Sequence, residues 1–306
     1  MNKLIKSLSF LTIAFLTLTP SFAYTGTNNI DFGLYSSNSK DYQTKNLKIY
    51  HNFTTWHPRD FAQTKDAITT LNKLSRTNSS LTGLLTIEPW PIYGEGQNRE
   101  LLLNNIINDK YSSNIKQTCS FIEKNSKAPI SLRWGHEMDL YESSIYPWTT
   151  SNGELYIRAY KKWVDTCKKY SKKSKFVWSP AGNNGNEKYY PGDNYVDSVG
   201  MSWYSYPAFE WYSYGQRILS FNHIMNWKYH ALKQFNKPIM IAEFGFAEGN
   251  KTNIYESLLN SEKIKREYPL ISSIILFSDH TPSWIPGVIS SPDWRIDRKK
   301  LDSIIK

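Results

Sequence analysis

KPIMIAEFG, residues 237–245, places five apolar residues in a row and then a carboxylate, Glu243, ahead of Phe244 and Gly245. A short apolar run of this kind marks a strand buried on both faces, and such strands belong to parallel sheets covered by helices. Period-two alternation puts Ile239, Ile241 and Glu243 on one face. Similar runs lie at 30–35, 47–53, 81–88, 130–134, 175–179 and 198–202 before it and at 271–277 after it. Helical spacing of apolar residues fills most of the gaps, at 60–74, 99–124, 153–170, 214–234 and 255–266. Ile157, Tyr160, Trp163, Val164 and Cys167 trace one such stripe. Strand and helix alternating eight times predict an α/β fold, a (β/α)8 TIM barrel in a single domain. Two units are irregular: the connection 36–46 is short and polar, and 180–197, rich in Asn, Gly and Tyr, reads as loop. A doubly wound open sheet is the alternative, but no glycine-rich phosphate loop follows the first strand.

The first 23 residues, MNKLIKSLSFLTIAFLTLTPSFA, combine Lys3 and Lys6 with an apolar stretch from Leu8 to Leu18 and a small-residue ending at Ala23. This is the pattern of a signal peptide; the stretch is short of the ~20 residues that span a bilayer. The expectation is a secreted or periplasmic protein, monomeric, whose domain covers 24–306 and has no membrane span once the signal is removed. The formal net charge is +10, but the basic residues are spread over helix-like segments such as 161–175, a solvated face that gives nucleic-acid binding no support. The 11 Trp and 21 Tyr exceed what a core of this size needs, and flat aromatic rings stack on the C–H faces of sugars. Cys119 and Cys167 have no CxxC spacing; a disulfide between them is left open, because sequence does not supply the Cα separation.

RWGHEMD, residues 133–139, follows the fourth strand. Alternation puts Arg133, Gly135 and Glu137 on one side. Charged residues at that density are costly in a dry core unless paired or functional, and a structural ion-pair cluster is the bland reading. Glu243 at the end of the seventh strand gives Glu137 a counterpart across the barrel mouth, where the chemistry of this fold resides. Two carboxyl groups flanking a bond, one protonated and one ionised, are what glycoside hydrolysis requires.

RWGHEMD, WSPAGN (178–183), YYPGDNYVDSVGMSWY (189–204) and KPIMIAEFG, in this order, resemble glycoside hydrolase family 26, the mannanase-type barrels with catalytic glutamates on strands four and seven. The resemblance covers about residues 30–297. It implies a retaining double displacement on a β-linked polysaccharide such as β-mannan, mixed-linkage β-glucan or an exopolysaccharide, with Glu137 as acid/base and Glu243 as nucleophile. It also implies that His136 lies beside the acid and that Tyr204 hydrogen-bonds the nucleophile. The chain departs from the family's pattern at FSDHTPSW (277–284), which is poorer in tryptophan, and at Asp139, where Asn is usual. Further substrate contacts are expected from Arg133 and from aromatics near strand ends, Trp56, Trp90 and Trp284, with Trp134 and Trp211 also placed there; core packing competes as a reading for each. Glu88, His57 and His280 stand at the rim too. No HExxH or similar cluster appears, so no metal or organic cofactor is expected. A polysaccharide-binding protein without turnover is the competing function, whereas an esterase would need a GxSxG elbow that the chain lacks.

Overall fold

The computed structural model describes residues 29–142, 146–206, 210–211, 215, 219–247, 251–280 and 292–305. The expected signal peptide and Trp284 lie outside the described residues. Eight parallel strands close into a barrel in chain order: β1 (Asp31–Ser36), β2 (Ile49–Thr55), β3 (Thr82–Glu88), β4 (Ile130–Trp134), β5 (Lys175–Trp178), β6 (Ser198–Ser205), β7 (Ile239–Phe246) and β8 (Ile271–Ser278). β8 pairs with β1 to complete the ring. This is the single-domain TIM barrel expected from the strand count.

The helices are α1 (Phe61–Ser75), α2 (Arg99–Ile107), α3 (Ser112–Asn125), α4 (Gly153–Tyr170), α5 (Phe221–Leu232), α6 (Lys251–Leu259), α7 (Ser261–Glu267) and α8 (Arg298–Ile304). Three differ from the sequence reading. The helix expected over 99–124 is two helices, because Asp109 adopts a left-handed backbone, φ +67°, that a right-handed α-helix does not accommodate. The segment 255–266 likewise divides, with Asn260 capping the second helix. α5 begins only at Phe221, where the Ser220 side chain accepts from the His223 N–H. No helix among the described residues is long and apolar enough to cross a membrane.

Two apolar layers hold the barrel. The larger lies between strands and helices; α4, for example, buries Leu155, Tyr156, Ala159, Tyr160, Trp163, Val164 and Cys167. Cys167 is bonded to Cys119 of α3, with Cα atoms 5.5 Å apart, so the pairing left open by the sequence is present. The smaller layer fills the lumen with Ile49, Leu84, Val177, Met240, Ala242 and Ile275. Two residues further along these strands stand the polar His51, Thr86 and Ser179 together with Phe277, and Phe53 follows two residues beyond His51.

Lumen parity corrects the reading of KPIMIAEFG. Met240 and Ala242 face the lumen, whereas Ile239 and Ile241 belong to the helix-facing layer. Glu243 escapes that outward parity through a bulge: Met201 pairs with Ile241, but Ser202 pairs with Glu243, so Ala242 is the extra residue. On the other side Ile241 and Phe244 pair with Ile274 and Leu276, three steps against two. Ile239, Ile241 and Glu243 therefore do not share a face.

Candidate active site

β4 stops at Trp134, and the chain beyond it is not a regular strand. Gly135 and Glu137 both have φ +54°, a left-handed backbone that glycine accepts freely and a glutamate adopts at a cost of about 1 kcal/mol or more. The alternation expected for Arg133, Gly135 and Glu137 fails here. Three bonds fix the departing chain. The Tyr156 hydroxyl donates to the Gly135 carbonyl at 3.1 Å, Trp148 Nε1 to the His136 carbonyl at 2.7 Å, and the Glu137 N–H to the Ser179 carbonyl at 2.8 Å.

Arg133 lies fully buried beneath the mouth. Its Nε donates to Ser179 Oγ at 2.9 Å, Nη2 to Ser202 Oγ at 3.0 Å, and Nη1 to Thr86 Oγ1 at 3.3 Å and to Glu243 Oε1. Four of its five N–H donors are thus spent on protein partners, and with the side chain fully buried the expectation that it contacts substrate is corrected: it supports Glu243 from below. The other Glu243 oxygen accepts from the Tyr204 hydroxyl. A carboxylate held this way, 5% exposed, is fixed in orientation on both oxygens. Tyr204 is itself wedged between Phe277 and Trp294, with ring centroids 5.4 and 5.2 Å away, and lies over Gly245. Its own proton is held tightly, since burial and the Glu243 charge raise its pKa well above the ordinary value.

Glu137, partly exposed, is held by a hydrogen bond from Ser202 rather than by a cation and a phenol. Burial first and the Glu243 charge second push its pKa from 4.5 to about 7; Ser202 and Arg133 oppose the shift, and Asp139 adds to it. The two carboxyl groups therefore differ in kind: one is clamped by a cation and a phenol, the other tends to keep its proton near neutrality. His136 is wholly buried, with Nε2 3.8 Å from Glu243 Oε1. Burial and the Arg133 charge hold its pKa well below 6.5, so the ring is neutral, and neither nitrogen has a hydrogen-bond partner among the described residues. Glu88 receives a hydrogen bond from Trp90 Nε1 at 2.9 Å, and burial raises its pKa.

The aromatics divide sharply. Trp56 is 1% exposed, stacks on Tyr111 and donates to the Trp90 carbonyl, and Trp134 packs outward on Trp163; neither offers a face to the mouth, which corrects the expectation of sugar contact. Trp90 is partly exposed and meets Tyr146 and Trp148 edge-on, and Trp211 is exposed. His57 caps the turn that precedes α1. Sequence reasoning missed Thr86, Ser179 and Ser202, although each lies two residues past a lumen position on its strand. It also missed Tyr146 and Trp148, whose irregular loop carries no periodic signal. Among the described residues no three His, Cys, Asp or Glu side chains gather to hold a metal. A cavity of about 340 Å³ lies elsewhere, lined by Lys168, Phe176 and Asp193, and includes none of these groups.

Comparison with known proteins places the chain in a family. The model of glycosyl hydrolase family 26 matches residues 100–290. Endoglucanase H of Acetivibrio thermocellus is 29% identical over 275 residues, which span 84% of this chain but 27% of that protein's length. The fold matches a GH26 β-mannanase from Bacteroides ovatus with a TM-score of 0.57 at 14% identity, covering 82% of this chain and 80% of that one. It matches a β-mannanase from a symbiotic protist of the termite Reticulitermes speratus with a TM-score of 0.59 at 12% identity, covering 92% and 88%.

Proposed function

The chain belongs to glycosyl hydrolase family 26, and on that premise we propose that it is an exported, monomeric, retaining glycoside hydrolase that cuts within a β-linked glucan. The observation that carries this reading is the asymmetry of the two glutamates. Glu243, oriented by Arg133 and Tyr204, attacks the anomeric carbon while Glu137 gives its proton to the departing oxygen. Glycosylation removes the Glu243 charge, and with it part of what raises the proton affinity of Glu137. Glu137 then leaves the first step as a carboxylate able to activate water for the second. Trp90 offers a partly open ring to a sugar, while His136, wholly buried and neutral, packs beside Glu243. No step calls for a metal or organic cofactor.

The higher identity to a protein named endoglucanase supports a glucan over a mannan, the second substrate class. The Cys119–Cys167 bond supports an oxidising compartment, in keeping with the leader-like first 23 residues. The test is digestion of mixed-linkage β-glucan, cellulose, β-mannan and xylan by the purified protein. The anomeric form of the first-released sugar is read by proton NMR, and Glu137→Ala and Glu243→Ala serve as controls. Net retention and loss of cleavage in both variants are expected. Cleavage that survives either substitution sinks the assignment, and binding without products favours a non-catalytic polysaccharide-binding protein.

A further inference from the structure

We propose that Asp139 and Lys228 are positioning residues, a pair of opposite charges, the lysine buried and the aspartate partly so, that grips the turn beneath Glu137 and balances the electrostatic field at its carboxyl group. Lys228 is on the buried face of α5, at helical spacing between Ile224 and Leu232, and is 6% exposed where an apolar residue would ordinarily stand. Its Nζ donates to the Ala181 carbonyl at 2.5 Å. Asp139 Oδ1 accepts the Ala181 N–H at 2.7 Å, so both main-chain groups of one residue are held by opposite charges. The neighbouring Gly182, at φ +91°, leaves space that the lysine stem occupies; a Cβ there would lie 3.0 Å from Met201 Cβ and 3.5 Å from Lys228 Cγ. Two residues before Ala181, the Ser179 carbonyl receives the Glu137 N–H. The grip is therefore transmitted to the strained backbone of the acid.

Two neutral side chains could make the same hydrogen bonds, and buried charges are costly to desolvate, so hydrogen bonding to Ala181 leaves the charges themselves unexplained. The backbone N–H groups of Asn183 and of Asp139 itself also favour the ionised carboxylate, yet burial still raises its pKa. The group within electrostatic reach of both is Glu137: Asp139 favours its protonated form, and Lys228 interacts with it in the opposite sense. The other groups facing Glu137 are Glu243 from β7, Arg133 from β4, Tyr204 from β6 and Tyr146 from the loop after β4.

Asp139→Asn keeps an acceptor for the Ala181 N–H and removes only charge, and Lys228→Gln keeps a donor. The midpoint of Glu137 is read in two ways in the intact protein: from the basic limb of the kcat pH profile, and from carboxyl 13C NMR titration assigned with Glu137→Gln. Asp139→Asn should lower the midpoint by about half a unit to one unit, Lys228→Gln should raise it by a similar amount, and the double variant should return it close to wild type. Shifts in the same direction, or lost activity with the midpoint unmoved, reduce the pair to a structural role and overturn the proposal. If Lys228→Gln does not fold, the direction of the Asp139→Asn shift decides alone. The kinetic readout rests on the hydrolase reading; the NMR titration does not, so absent turnover would sink that reading and leave this one decided.

Discussion

Gly245→Ala should disable the site without touching either glutamate. Gly245 follows Phe244 on β7, and its backbone lies outside the left-handed region, so alanine brings no backbone strain. What it brings is a methyl group 2.6 Å from Tyr204 Cδ1, 2.8 Å from Cε1 and 3.2 Å from Trp294 Cε3. The ring needs roughly 0.8 Å to restore ordinary contact, and Phe277 and Trp294 stand on its other sides. Tyrosine pivots at Cβ, so the hydroxyl swings away from Glu243 Oε2. A hydrogen bond to a charged group contributes about 1.5–3 kcal/mol, which corresponds to about 10–150-fold in kcat/KM. The assay is kcat/KM on the glycan that the wild type cleaves, measured for Gly245→Ala, Tyr204→Phe and the double variant. Strong non-additivity is expected, with the double variant little worse than Tyr204→Phe. A fully active Gly245→Ala, or losses that simply add, would refute it.

Replacing the two glutamates should shift stability in opposite directions. Glu243→Gln strips the buried Arg133 of its countercharge and should destabilise the fold by about 3–5 kcal/mol, seen as a lowered thermal midpoint. Glu137→Gln removes a carboxyl whose folded pKa of about 7 exceeds the ordinary 4.5. Wild type therefore loses stability as pH rises from about 4.5 through about 7, and the glutamine variant does not. The gain should be negligible at pH 4 and about 2–3 kcal/mol at pH 8, discounted for the partial exposure of the group, and equal gains at both pH values would contradict the cause assigned. The Cys119–Cys167 bond closes a sequence separation of 48 residues, so Cys119→Ala with Cys167→Ala should cost about 4 kcal/mol on the chain-entropy account. An unchanged denaturant midpoint would count against that account.

All eight strands could be read from the sequence because each is buried on both faces and so carries an apolar run that needs no partner to be recognised. The pair Glu137 and Glu243 stood out for the same reason, as charges ending apolar strands. What escaped depends on the neighbouring strands or on backbone torsions. The bulge at Ala242 exists only in the pairing of β7 with β6 and β8, and the residues of β7 taken alone alternate without interruption. The direction of Glu137 is set by positive φ angles at positions 135 and 137, and the residue type at 137 does not advertise one. Trp56 and Trp134 share composition and strand-end position with Trp90, but orientation, which residue type does not encode, sends the first two into the core. Lys228 reads as an ordinary helix-surface cation until its turn of α5 is seen against the β5–β6 connection.

The extra residue in β7 also bears on protein engineering. Anyone transplanting this strand into another barrel by counting alternate positions would deliver the carboxylate to the helical shell, whereas deleting Ala242 would restore plain alternation with Glu243 still facing the lumen. Tolerance to polar substitution along the strand should therefore change parity at that point, so that positions 240 and 242 resemble 243 and 245 rather than 244. Sequence comparisons that slide a single gap through this strand would exchange inner and outer positions without any visible loss of similarity.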